Sequence, residues 1–139
     1  MSERILVGLD GSESAFKALA AALDWAVRTG AELHAISVEE VPRFAGTVGE
    51  VVEEKEAANG RFAEVLGRAQ RTAAEHGLAL PTHVVIGHEV KSIVEFIKAH
   101  GFDLLVVGFM GHSALYDRVM GSTCQGLVRL APCSVLVVK

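Results

Sequence analysis

Two hydrophobic periods alternate along this chain, and that alternation restricts its fold more than any other feature. Arg4 to Leu9 (RILVGL) is a strand-length apolar run closed by the turn Asp10-Gly11-Ser12. From Ser14 to Thr29 the positions Phe16, Leu19, Leu23, Ala26 and Val27 recur at helical spacing, and Gly30 stands where a capping glycine ends a helix. Leu33 to Val38 predicts a second strand. Pro42, Gly46 and Gly49 mark a loop before a helical stretch over Glu50 to His76. Phe62, Val65, Leu66 and Ala69 line one face of that stretch, and Gly60 and Gly67 weaken it locally. Thr82 to Ile86 follows as a strand, and Val90 to Ala99 as a helix with Ile93, Val94 and Ile97 as its buried stripe. Asp103 to Val107 (DLLVV) is a fourth strand. A glycine-bearing loop leads to a helix over Ser122 to Leu130, and Val135 to Val138 closes the chain as a fifth strand.

Strict alternation of strand and helix calls for a parallel sheet, because parallel neighbours need crossover connections. Right-handed crossovers among five strands give a doubly wound α/β sheet, most simply in the order 3-2-1-4-5 with helices on both faces. The apolar share of 50% suits strands buried on both sides. At 139 residues, with no repeat, low-complexity tract or linker, residues 1–139 are expected to form one domain. In this strand order the chain reverses direction between strands one and four. Ligands of such sheets bind beyond the carboxyl ends of the strands at that reversal. The turn at Asp10 and the loop after Val107 therefore frame the expected site before any motif is considered.

Composition removes several alternatives. The formal net charge is −4, and no stretch clusters Lys and Arg, which argues against nucleic acid as a partner. No apolar run reaches the roughly 18 residues that would span a bilayer. The opening MSERILVGLDGS enters a strand directly, without a signal-peptide core, so the cytoplasm is the expected compartment. Cys124 and Cys133 form neither a CxxC pair nor a ligand set, and are expected to be small buried apolar residues.

The segment GFMGHSALYDRVMGST after the fourth strand carries the chemistry. Gly108 and Gly111 are followed, after nine residues, by Gly121, with Ser122 and Thr123 next in the chain. Gly121-Ser122 falls where the next helix begins. A helix N-terminus offers unpaired N–H groups and partial positive charge to an anion. Glycine there permits positive φ and close approach of backbone to phosphate. The Ser122 and Thr123 hydroxyls can donate to phosphate oxygens or ligate a cation. Shaping of turns and capping of a helix is the alternative use of such glycines. Their coincidence with the predicted ligand position favours the anion reading.

With these residues the chain resembles the universal stress protein family, in particular its nucleotide-binding branch with the signature G-x2-G-x9-G-[ST]. Gly108, Gly111, Gly121 and Ser122 match that signature without a gap, and the opening ILVGLDGSE and the ending LAPCSVLVVK are similar to the family as well. The resemblance implies an ATP-binding protein, with ADP or AMP as related ligands and Mg2+ as the accompanying ion. It implies adenine contacts at Val38, beside Ser37 and Glu39. Asp10 would lie near the ribose and the metal-water shell, flanked by Leu9. Gly108, Gly111, Gly121, Ser122, Thr123 and Cys124 would hold the phosphates, with Asp10 and Ser122 nearest the metal. Cys124 departs from the small hydroxyl residue common at its position, and Phe109 and Met110 replace residues that are often polar. The resemblance also implies a homodimer formed through the last strand, whose apolar SVLVV sequence is guarded only by Lys139.

Other candidates carry less. The six histidines show no HExxH motif and no helical pairing beside a carboxylate, and are read as surface or loop-end residues. His112 and Arg118, in the glycine loop, are phosphate contacts by type and solvated loop residues by default. Asp10 also suits a turn or a helix cap, and Ser12 the cap itself. Trp25 is read as a packing residue of the first helix. No GxGxxG, GxxxxGK[ST] or GxSxG occurs, and no base or arginine finger is arranged for efficient hydrolysis. A stress-response regulator that hydrolyses ATP slowly at most, and acts on an unidentified protein client, is the favoured function. An ATP-dependent enzyme on the same fold, or an interaction module with an empty pocket, is the alternative. The connection from Phe109 to Met120 exceeds the usual two to six residues or so, and nucleotide is expected to order it.

Overall fold

A computed structural model describes residues 3–40, 48–110 and 120–139. Strand β1 is Arg4–Gly8, β2 Glu32–Glu39, β3 Thr82–Ile86, β4 Leu104–Gly108 and β5 Ser134–Val138. Helix α1 is Glu13–Thr29, α2 Val48–Glu75, α3 Glu89–His100 and α4 Ser122–Leu130. All strand pairs are parallel and the sheet order is β3-β2-β1-β4-β5, as the alternating pattern predicts. Pro42 and Gly46, read as loop residues, lie outside the described residues.

Sidedness of the core explains why the strands read as unbroken apolar runs. Ile5 and Val7 of β1 point into the layer covered by α1 and α2, while Leu6 points into the layer covered by α3 and α4. All three are fully buried. Ile93, Ile97 and Leu127 complete the second layer. Local chemistry sets the helix ends. Ser12 caps α1, its hydroxyl accepting the Ala15 N–H at 3.1 Å. Gly30 ends the same helix at φ 72°, with its N–H on the Ala26 carbonyl.

Three side-chain expectations change. The buried face of α1 is Ala15, Ala18, Leu19, Ala22, Leu23 and Ala26. At about 3.6 residues per turn Val27 and Trp25 fall on opposite flanks of that arc, and they are 52% and 43% exposed. Trp25 is therefore not a core packing residue. Cys124 is buried as expected, whereas Cys133 is only half-buried, and both are free thiols. The histidines are not uniformly peripheral either. His34 on β2 and His83 on β3 lie half-buried near the amino end of the sheet. Their rings are nearly coplanar, 3° apart, with His34 Nδ1 and His83 Nε2 at 3.0 Å. Coplanarity at that separation describes an in-plane N–H···N bond. His34 Nε2 contacts Glu32 at 3.1 Å, Glu32 pairs with Arg4 at 2.7 Å, and Phe96, Phe102 and His100 surround the rings. Burial, then the neighbouring His34 and His100, push the His83 pKa down.

Candidate functional site

Beyond the carboxyl ends of β1, β2 and β4 the chain forms a cleft of ≈ 360 Å³. The N-termini of α1, α3 and α4 open onto it, with Ser12, Glu89 and Gly121 in its walls. This is the sheet reversal at which the strand order predicts a ligand.

The β1 side is tightly built. Asp10 lines the cleft, and its Oδ1 accepts the Ser12 N–H at 2.9 Å, so this carboxylate serves as a turn residue ahead of the Ser12 cap. Leu9 is buried in the layer under α1. Both of its backbone groups are engaged, since its N–H donates to Ile36 at 2.9 Å and its carbonyl accepts the buried Ser37 hydroxyl at 2.6 Å. Ser37 thereby stitches the ends of β1 and β2 together directly below Val38, which lines the cleft beside Glu39 and Glu40. In the sequence Ser37 stands out only as a neighbour of Val38, because its partner Leu9 is 28 positions away.

On the opposite wall the glycine loop begins with Gly108. A Cβ on Gly108 would stand 2.7 Å from both the carbonyl carbon and the oxygen of Ser14. Close contact between β4 and α1 is what requires glycine here. Gly121, the N-cap of α4, has φ −63° and ψ 151°, which any residue adopts. Positive φ is therefore not its reason for being glycine, contrary to the expectation. No side chain caps α4, and its first turn carries no acidic residue, so its leading N–H groups and dipole face the cleft unopposed from within the helix. Ser122, Thr123 and Cys124 line the same wall. Gly126, one turn on, lies so near Val90 that a Cβ would meet its Cγ2 at 2.9 Å, which seats α4 closely against α3. Burial raises the Cys124 thiol pKa, which keeps it protonated and weakly nucleophilic. Gly111, His112, Tyr116 and Arg118 lie outside the described residues, as does the loop ordering expected of them.

Charge in the cleft is acidic. Asp10, Glu39, Glu40 and Glu89 are all in its walls, and no Lys or Arg is among the described lining residues. Glu40 accepts the Glu89 N–H at 2.9 Å and stands 3.4 Å from His88, while Thr123 Oγ1 is 3.4 Å from Glu89. An anion entering here meets backbone N–H groups and hydroxyls at the α4 end, with the Glu89 carboxylate beside Thr123, and further carboxylates on the β1 and β2 side. Hard oxygen donors of this kind suit Mg2+ held mainly through a ligand's phosphates. Among the described residues no three His, Cys, Asp or Glu side chains converge to hold a metal ion by themselves. No helix among the described residues is long and apolar enough to cross a membrane. Glu89 in the cleft wall and Ser14 behind it are among the residues that sequence reasoning missed. Neither belongs to a spacing pattern, and both act through partners far away in the chain.

The chain is 31% identical to the universal stress protein YxiE of Bacillus subtilis over 148 residues, covering 100% of both chains. The universal stress protein UspA of Lactobacillus plantarum has the same fold at a TM-score of 0.82 and 27% identity, with 99% of this chain and 97% of that one aligned. A universal stress protein solved in complex with cAMP aligns at a TM-score of 0.75 and 28% identity, over 99% of this chain and 97% of that one. The profile of the universal stress protein family matches residues 1–139. Fold, strand order and sequence thus agree along the whole chain, which belongs to the universal stress protein family.

Proposed function

We propose that this chain binds an adenine nucleotide in the cleft and works as a regulator whose output is nucleotide occupancy. One observation carries the reading: the carboxyl ends of β1, β2 and β4 and the uncapped N-terminus of α4 share one ≈ 360 Å³ cleft. A relative with the same fold at 28% identity was solved with cAMP, which supports an adenine ligand. In this reading the adenine lies against Val38 and the ribose faces Asp10. The phosphates meet Gly108, Gly121, Ser122, Thr123 and Cys124, with Gly111 contributing from the loop. The acidic walls make a bare polyphosphate costly, so ATP enters as its magnesium complex, with Asp10 and Ser122 nearest the ion. When bound, Mg2+ supplies neutralising charge to the phosphates. Hydrolysis is slow at most, and no residue is assigned a catalytic role. The same reading takes the protein as cytoplasmic, dimeric through β5, and coupled to a protein client.

Calorimetric titration with ATP, ADP, AMP and cAMP, with and without Mg2+, tests the proposal, using Gly121→Val as the control. Valine tolerates the Gly121 backbone angles, so the variant is expected to fold, while its branched side chain blocks approach of phosphate. Loss of nucleotide binding in a folded Gly121→Val protein is expected. Wild-type affinity in that variant, or no binding of any of these ligands to the wild type, rejects the reading.

A further inference from the structure

We propose that Ser14 is a positioning residue for the phosphate seat, acting through a single peptide group. The inference rests on the nucleotide reading above and adds a residue that the glycine signature does not contain. Ser14 lies in the first turn of α1, two residues after the Ser12 cap, and is not part of the cleft wall. Its Oγ accepts the Met110 N–H at 3.1 Å. The carbonyl of the same peptide, that of Phe109, accepts the Gly121 N–H at 3.0 Å. Both polar ends of the Phe109–Met110 peptide are therefore occupied, one by α1 and the other by the N-cap of α4. A peptide unit is planar, so fixing its N–H fixes the direction of its carbonyl. Ser14 thus sets the angle at which the loop leaves β4 and the point at which α4 begins.

Two further contacts make this arrangement stiff. Gly108 packs on the Ser14 backbone with no room for a Cβ, so the exit of β4 cannot shift toward α1. The Phe109 N–H donates to Val138 at 2.8 Å, which ties the preceding peptide to the end of β5. Within this frame the Met110 N–H is free to turn away only if Ser14 releases it. Hydrogen bonds at the two ends of one amide also polarise each other, so loss of the Ser14 contact weakens the Phe109–Gly121 contact. The consequence falls on the α4 N-terminus, where phosphate binds, and not on the adenine end, which β2 builds separately.

The test compares adenosine with AMP in calorimetric titrations of the wild type and Ser14→Ala. One neutral hydrogen bond corresponds to about a threefold to tenfold change in affinity. Ser14→Ala is expected to weaken AMP by that factor while adenosine stays within twofold. An equal loss for both ligands, or no loss for AMP, overturns the proposal, because a general loosening of the domain does not single out the phosphate. Residue-resolved amide exchange without ligand gives a second measurement. The Gly121 amide is expected to exchange faster in Ser14→Ala, while the Gly101 amide, bonded to Ile97 at the end of α3, keeps its wild-type rate. An unchanged Gly121 rate refutes the positioning role. If the wild type binds neither ligand, the nucleotide reading fails, and the exchange result alone decides whether Ser14 positions Gly121.

Discussion

Gly108 shows how a residue can be legible in the sequence for a reason the sequence does not contain. Its place in the spacing G-x2-G-x9-G-[ST] marks it as a phosphate-loop glycine, yet the Ser14 backbone 2.7 Å from its would-be Cβ already forbids a side chain. Gly108→Ala must push α1 off β4, and overpacking of this kind costs about 1–3 kcal/mol. A lowered urea midpoint with an unchanged m-value is expected, and a wild-type midpoint counts against the packing argument. Asp10 was readable both as a turn residue and as a ligand-facing one, because its neighbours in the chain suffice to define an Asx turn. Its bond to Ser12 N–H supports the turn, and its place in the cleft keeps it available for the ligand-facing role. Ser14 was not readable, since its partner Met110 is 96 positions away.

At the scale of elements, the strands and helices follow from local pattern, and the departures from pattern arise in packing. Helix α2 continues through both Gly60 and Gly67, because Leu66, Ala69 and Ala73 bury against the sheet and outweigh the weak propensity of glycine. Helix α1 uses four alanines on its buried face, which brings it close to the sheet and leaves the larger Val27 and Trp25 on its flanks. Strand β5 ends the sheet among the described residues, and α4, which packs against β5, carries Val128 and Leu130 at 46% and 62% exposed. An apolar edge next to exposed apolar side chains favours pairing with another chain. The expected outcome is a dimer by light scattering that Val135→Lys converts toward monomer. A monomer mass across the accessible concentration range, unaltered by Val135→Lys, excludes this interface.

For the whole molecule, acid sensitivity is expected from the end of the sheet remote from the cleft. Burial and the neighbouring His34 and His100 lower the folded pKa of His83 below the ordinary histidine value of 6.5. The unfolded chain then takes up a proton first as pH falls, so His83 costs no stability above pH 6.5 and progressively more below it. Glu32, lowered from 4.5 by its bonds to Arg4 and His34, adds a contribution that is present above pH 4.5 and lost below it. Thermal melts are expected to be flat from pH 8 to 7 and to fall below pH 6.5, with a shallower fall in His83→Gln. Equal slopes in the two proteins remove His83 as the cause. A nucleotide that binds as proposed is expected to act in the opposite sense, raising stability by about 2.7 kcal/mol when held at a hundredfold excess over its Kd. By itself the sequence determined the element order, the parallel sheet in the order β3-β2-β1-β4-β5 and the end of the sheet at which the cleft opens. Hydrophobic period and crossover handedness are properties of neighbouring residues and short connections, and they leave few topologies open. Only the tertiary structure decided why Gly108 is glycine, which face of α1 is buried, that His34 and His83 share a hydrogen bond, and that one peptide links Ser14 to Gly121. Each of these depends on how closely elements distant in the chain approach one another, a distance that side-chain volumes on both sides set together and that neither segment encodes alone.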